Sequence, residues 1–423
     1  MIEIDPIAEI DCTVSVPGSK SLTQRALIAA SLADGESILH GPLVSEDTDY
    51  SSEALMQMGV KIRKEDESWR VVGKGGQILT PEDDIFLGNN GTATRFLTSV
   101  AALGEGEFVI DGDERMHQRP IGPLIHALEG WGVDITSIHE TGCPPLSIRA
   151  NGLDGGKTVL PEGKSSQYLS SLLLVAPFAR SAAVLDVVGE VLSKPYVTMT
   201  LQVMADFGIA VEAAADFSSF AIPRGVYRAL DYRIEGDASN ASYFWAAAAV
   251  VGGRVTVDNV PVPSLQGDAM LVPLLARMGC DINQAGNGIT VSCTGGLEGI
   301  TVDMGDMPDV VPTLAVVAAF AEGITKITNI GHLRIKECDR LHAVVTELTR
   351  IGCTVEEFSD KMIIHGEAGR NLHGAEIETY NDHRMAMSMA VAGLKVPGIR
   401  IRGEGCVAKS FPDFWQRFAG LHR

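Results

Sequence analysis

Along the chain two kinds of helical stretch alternate, and the alternation repeats six times. One kind is apolar on all sides and rich in Ala: 26–32, 96–103, 169–178, 243–251, 314–320 and 385–394. A helix with no polar face predicts burial all round. The other kind mixes charged with apolar positions, at 51–58, 121–131, 197–207, 266–278, 341–351 and 413–418, and predicts surface helices resting one face on a core. Short β-branched runs such as 109–110, 254–257 and 361–365 lie between them and predict strands.

Each surface-type helix runs into an apolar-Gly-apolar step, at Gly59, Gly132, Gly208, Gly279, Gly352 and Gly420. The buried-type helices open near Ser21, Thr92, Ser166, Ala238, Val310 and His383. Both series advance by about 70 residues, so six units of one supersecondary type, read as βαβαββ, account for the chain. At 423 residues the chain exceeds what one core usually sustains, and six units divide as three and three. The expected fold is mixed α and β: two similar domains, each with buried helices surrounded by sheets. The buried helices then expose their N-terminal turns together. Free N–H groups and the helix dipole there favour anions by roughly 0.3–1 kcal/mol each.

A formal charge of −20 excludes a general nucleic-acid or anionic-membrane binder, so any basic site must be local. The seven cysteines (Cys12, Cys143, Cys280, Cys293, Cys338, Cys353, Cys406) show neither C-x-x-C nor zinc spacing. They are read as reduced, mostly packing thiols of a cytoplasmic protein, and no metal or cofactor is expected. The first residues read as a strand rather than a signal, and the apolar helices are too short to span a bilayer.

The chemistry gathers at the helix starts. The first half supplies Val16-Pro-Gly-Ser-Lys-Ser-Leu-Thr-Gln-Arg25, Leu87-Gly-Asn-Asn-Gly-Thr-Ala-Thr-Arg95, Asp113-Glu-Arg-Met-His-Gln-Arg-Pro120, Gly163-Lys-Ser-Ser-Gln167 and Leu192-Ser-Lys-Pro-Tyr196. The second half supplies Glu235-Gly-Asp-Ala-Ser239, Pro308-Asp309, Arg334-Ile-Lys-Glu-Cys-Asp-Arg-Leu341, Tyr380-Asn-Asp-His-Arg-Met385 and Ala408-Lys-Ser-Phe-Pro412. Hydroxyls and Gln bond phosphates and ring hydroxyls directionally, while Arg forks onto carboxylate or phosphate. In this order the strings resemble the 5-enolpyruvylshikimate-3-phosphate (EPSP) synthase family of enolpyruvyl transferases, from the first strand to Lys409.

The resemblance implies the enolpyruvyl transferase fold, an inside-out α/β barrel in each domain. It puts the chain crossings near Pro17 and Ile234, so that 1–17 plus 235–423 form one domain and 18–234 the other, with the active site in the cleft between them. It implies shikimate-3-phosphate binding by Lys20, Ser21, Arg25, Ser165, Ser166, Gln167, Ser193, Tyr196, Asp309 and Lys336. It implies phosphoenolpyruvate binding by Lys20, Gly91, Arg115, Gln167, Arg340, Arg384 and Lys409. The implied reaction is addition of the 5-hydroxyl of shikimate-3-phosphate to phosphoenolpyruvate, then loss of phosphate. That demands an acid and a base but neither metal nor redox cofactor. Asp309 is expected near the attacking hydroxyl as proton acceptor, with Glu337, Lys336 and Lys20 as candidates for the other proton transfer and for charge stabilisation. The partners expected are these two small molecules only, bound by a monomer.

Plainer readings stand beside these. Asp309 after Pro308 reads equally as an N-cap, and Ser165, Ser166, Asp237 and Ser239 also read as caps. Lys336-Glu337 and Asp339-Arg340 read as surface ion pairs, and His383 as a structural neighbour of Arg384. Gly156-Lys157-Thr158 lacks the leading glycine and following helix of a P-loop, so nucleotide binding is rejected there. The sequence departs from the family at Thr94-Arg95-Phe96, where Met-Arg-Pro is frequent, which leaves glyphosate sensitivity open. It departs again at His332, where Asn is frequent, so that one contact to shikimate-3-phosphate is expected to be altered or pH-dependent. Two alternatives are weighed. UDP-N-acetylglucosamine enolpyruvyl transferase normally carries a reactive Cys in the loop equivalent to 115–119, and this chain has none there. A non-catalytic anion-binding repeat protein would not need Asp309 and Glu337 beside the cations.

Overall fold

A computed structural model describes residues 1–163, 165–285 and 288–422; Lys164, within the 163–167 string, lies outside them. The chain divides into two compact units, 1–17 with 235–423, and 18–234. Among the described residues twelve α-helices run in order: α1 Lys20–Leu32, α2 Glu46–Gln57, α3 Gly91–Ala101, α4 Gly122–Glu129, α5 Ser166–Val175, α6 Lys194–Asp206, α7 Ala238–Val251, α8 Leu271–Arg277, α9 Val311–Ala319, α10 Arg340–Arg350, α11 His383–Gly393 and α12 Phe414–Ala419.

The odd-numbered helices are the all-apolar ones, and they form the core of each unit. Every residue of α7, α9 and α11 is buried, as are residues 22–32 of α1. Their few polar side chains bond one another where the helices meet. In one unit Ser99 on α3 lies 2.5 Å from Ser171 on α5. In the other, Ser242, Thr313 and Ser388 chain α7, α9 and α11 through hydroxyls at 3.1 and 3.2 Å. Buried hydroxyls are costly alone, so these pairs also fix how the helices register.

Among the described residues each unit carries three sheets. Five of the six share one pattern: a parallel edge pair followed by two antiparallel neighbours, as in Ile85–Phe86, Glu105–Asp111, Leu146–Asn151 and Asp134–Ser137. The sixth has three strands, Ile2–Glu3, Arg400–Arg402 and Glu376–Glu378. Besides Ile2–Glu3 with Arg400–Arg402, two more strands pair far from their chain neighbours. Ile10–Val14, which precedes α1, lies parallel to Gly253–Val257. Asp231–Arg233, which precedes α7, lies parallel to Asp34–His40. This exchange completes each unit's sheets with a strand drawn from beyond the run of its own helices.

The repeat glycines have a physical basis. Gly59, Gly132, Gly208, Gly279 and Gly352 all adopt positive φ just past the surface helices, the left-handed position that ends a helix without Cβ strain. Gly420 differs, with φ −64, because the chain continues there into a 3₁₀ turn. Of the cysteines, Cys143, Cys280, Cys293 and Cys353 are buried and the other three are partly exposed; all are free thiols. Among the described residues no helix is long and apolar enough to cross a membrane.

Candidate active site

In the 18–234 unit the starts of α1, α3, α5 and α6 are tied together. Ser19 caps α1 by accepting from Leu22 N, and Lys20 Nζ reaches Asp47 Oδ2 on α2 at 3.0 Å. Asn90 caps α3 by accepting from Ala93 N, and its amide donates to the Asp47 carbonyl. Gln167, on the first turn of α5, donates to Thr92 Oγ1 at 3.1 Å. Ser165 and Ser166 stand at the start of α5, where the Ser165 side chain makes no capping bond. Ser193 precedes α6 in a left-handed conformation, φ 56, one turn from Tyr196.

Arg25 is the charge at the centre of this group. It is 2% exposed and donates from Nε to Thr200 Oγ1, from Nη1 to the Ser21 carbonyl and from Nη2 to Ser170 Oγ. Its guanidinium carbon lies 5.3 Å from the Phe96 ring centre and 5.9 Å from that of Tyr196. Burial pulls its pKa down to about 10. All three acceptors are neutral. Buried cations are normally paired, so this site holds a positive charge ready for an anion.

A second cationic group surrounds Gly91, the first residue of α3. A Cβ at Gly91 would lie 2.2 Å from Arg119 Nη2, so glycine lets the guanidinium approach the helix N-terminus. Arg119 Nη1 donates to both oxygens of Asn89. Arg95, also buried, donates to the carbonyls of Gly91, Arg119 and Pro120 and so fixes the loop that carries Arg119. Burial, and then the Arg119 charge, lower the Arg95 pKa to about 10. Arg115, expected to bind phosphoenolpyruvate, donates to Gln118 on a partly exposed turn. The sequence alone does not separate Arg119 from Arg115, because both sit in one string. Only packing against Gly91 distinguishes them.

In the other unit the expected site residues Asp309, Glu337, Arg340 and Arg384 form one ion network with Asp382. Arg340, the first residue of α10, is 1% exposed and reaches Asp382 at 2.9 Å, Asp309 at 3.1 Å and Glu337 at 2.7 Å. Arg384, on the first turn of α11, reaches the other oxygen of Asp309 at 2.7 Å. Asp382 caps α11 through the Arg384 N–H. Burial raises the Asp309 pKa, but Arg384, Lys336 and Arg340 together outweigh it and hold the carboxyl far below the usual range. Lys409, buried, ends the 3₁₀ turn Glu404–Lys409.

Several plain readings are corrected here. Asp309 is not a cap: it lies in the 3₁₀ turn Pro308–Val310, and Val310 occupies the N-cap of α9. Asp339 and Arg340 are not a surface pair: Arg340 is buried and bonded to Asp382, Asp309 and Glu337, while Asp339 accepts from Arg334. Asp237 does cap α7, through Asn240 N, but Ser239 donates to the buried carboxyl of Asp268. Burial and then the charge of Asp309 push Asp268 up to about 7. His332 is 8% exposed and burial, then Lys336, lower its pKa to about 4. Its surroundings therefore favour the neutral imidazole. Gly156–Leu160 is a strand, in line with rejecting a nucleotide loop.

The 18–234 unit thus presents buried cations, and the other unit an ionised carboxylate held by two arginines. The family model for EPSP synthase (3-phosphoshikimate 1-carboxyvinyltransferase) matches residues 4–418. A 3-phosphoshikimate 1-carboxyvinyltransferase of Nostoc punctiforme is 45% identical over 97% of this chain and 96% of its own. One from Methanothermobacter thermautotrophicus is 40% identical over 98% of this chain and 97% of its own. The solved EPSP synthase of Acinetobacter baumannii superposes with a TM-score of 0.83 at 27% identity, over 99% of this chain and 97% of that one. The chain belongs to the EPSP synthase family, the 3-phosphoshikimate 1-carboxyvinyltransferases.

Proposed function

We propose that the two residue sets act together on one pair of substrates, transferring the enolpyruvyl group of phosphoenolpyruvate to the 5-hydroxyl of shikimate-3-phosphate. The reaction serves aromatic amino-acid biosynthesis and releases phosphate. In this reading Ser21, Arg25, Ser165, Ser166, Gln167, Ser193 and Tyr196 hold the acceptor, with Asp309 and Lys336 at its reacting side. Phosphoenolpyruvate takes Lys20, Gly91, Gln167, Arg340, Arg384 and Lys409, with Arg119 beside Gly91 adding a fork for its anionic groups. Arg115 is retained as a second cation of the same loop. In this reading the enzyme works as a cytoplasmic monomer.

The observation that carries this reading is the sharing of Asp309 by Arg340 and Arg384. A carboxylate held so far below its ordinary pKa is a weak base. A carboxylate or phosphate that draws the two arginines onto itself weakens that hold and raises the basicity of Asp309 when the donor arrives. Asp309 then takes the proton of the attacking hydroxyl, while Lys20, Lys336 and Glu337 serve the carbon protonation and the developing charge. Phosphate release on mixing both substrates tests this. Release with shikimate-3-phosphate and none with UDP-N-acetylglucosamine is expected. Release with the nucleotide sugar alone, or with neither acceptor, would overturn it.

A further inference from the structure

The turn that delivers Asp382 and Arg384 contains two consecutive left-handed residues, Tyr380 at φ 54 and Asn381 at φ 53. Asn enters this region readily, but for a bulky aromatic residue it is an outlier whose cost surrounding contacts must offset. Those contacts come from Glu347 on α10, a side chain with no exposed surface. Glu347 accepts from the Tyr380 hydroxyl at 2.7 Å and from Glu378 N at 3.2 Å, and lies 3.3 Å from Arg350. Burial, and then the bond to Glu347, raise the Tyr380 pKa, so the hydroxyl stays protonated as the donor.

The same helix begins with Arg340, whose Nε and Nη2 reach the two oxygens of Asp382 at 2.9 and 3.3 Å. Helix α10 therefore grips the 380–384 turn twice, once at Arg340–Asp382 and once, two turns along the helix, at Glu347–Tyr380. We infer that Glu347 and Tyr380 are positioning residues for phosphoenolpyruvate: their bond holds the strained turn so that Asp382 aims Arg340 and Arg384. The inference rests on the reading of those two arginines as donor ligands.

The test is steady-state kinetics of Tyr380→Phe, Glu347→Gln and Glu347→Leu, with melting temperatures and with Arg384→Ala as control. Tyr380→Phe removes one hydroxyl and is expected to raise KM for phosphoenolpyruvate about three- to tenfold, the loss of one hydrogen bond, while KM for shikimate-3-phosphate stays within about twofold. Glu347→Gln keeps an accepting oxygen and should cost less than Glu347→Leu. Adding Tyr380→Phe to Glu347→Leu should change nothing further. An unchanged KM for phosphoenolpyruvate with a lowered melting temperature, or equal rises in both KM values, would overturn the inference. If Arg384→Ala itself leaves that KM unchanged, the underlying reading of the arginines fails, and this inference with it.

Discussion

Arg384 Nη2 sits 2.7 Å from Asp309 Oδ2, so the cation proposed for the donor is bound to the carboxylate proposed as the base. Losing Arg384 should therefore cost donor affinity and also alter Asp309. Lys409 belongs to the same side. For Arg384→Ala and Lys409→Ala we expect phosphoenolpyruvate affinity to fall by about 2–3 kcal/mol, the range for a charge-assisted contact, with a smaller loss for shikimate-3-phosphate. Calorimetric titration of each ligand checks this. Equal losses for both would mean that these cations serve the other subsite.

Arg25 presents the reverse balance, a buried charge with neutral partners. Such a charge stabilises a complex at the expense of the empty fold. Arg25→Met fills similar volume, while Thr200 and Ser170 keep their own bond at 2.7 Å. The melting temperature of the ligand-free protein is expected to hold or rise. Affinity for shikimate-3-phosphate should drop at least about tenfold, since a charge-assisted contact is lost. A protein that melts several degrees lower yet binds normally would refute the assignment.

Gly91 tests Arg119. In Gly91→Ala the new methyl would meet Arg119 Nη2 at 2.2 Å, so the guanidinium must move. The helix itself should tolerate Ala, which is a better helix former than Gly. The expected result is a raised KM for phosphoenolpyruvate with little change in melting temperature, read by phosphate release and calorimetry. An unchanged KM would place Arg119 outside the donor site.

What the sequence shows and what it hides follow from the range of the interactions. The six repeats are legible because burial on all sides leaves an all-apolar helix and a left-handed helix end demands Gly, as at Gly59 or Gly352. Pairing of Ile10–Val14 with Gly253–Val257 spans most of the chain, and nothing in either run specifies its partner. The same holds within the site. Asp237 is legible as a cap because Asn240 is three residues away, whereas Ser239 bonds Asp268 and Asp309 bonds Arg340 and Arg384, all far off in sequence. The resemblance names Asp309, Arg340 and Arg384 but neither Asp268 nor Glu347, whose bonds to Ser239 and Tyr380 form only where distant segments pack.

Asp268 predicts a pH effect of definite sign. Its folded pKa is raised to about 7, by burial first and Asp309 next, above the ordinary carboxyl value. Below about pH 4 both folded and unfolded states are protonated there, and the group costs nothing. As pH rises from about 4 to about 7 the unfolded state releases its proton first, so this group's effect is a loss of stability with rising pH. Asp268→Asn removes that loss and still accepts from Ser239. Its melting temperature relative to the parent should be higher at pH 8 than at pH 5. A difference that is constant or reversed would show that Asp268 is ionised in the fold.

The central claim is that Asp309 accepts the proton of the attacking hydroxyl. Asp309→Asn keeps the shape of the side chain, and because Val310 holds the N-cap position, no cap is lost. What disappears is the ability to take a proton, with the charge that Arg340 and Arg384 share, and positioned general-base catalysis is worth roughly 10² to 10⁴ in rate. The decisive measurement is kcat for phosphate release by Asp309→Asn with both substrates saturating. The account predicts a fall of at least about two orders of magnitude. A kcat within a few-fold of the parent would contradict it.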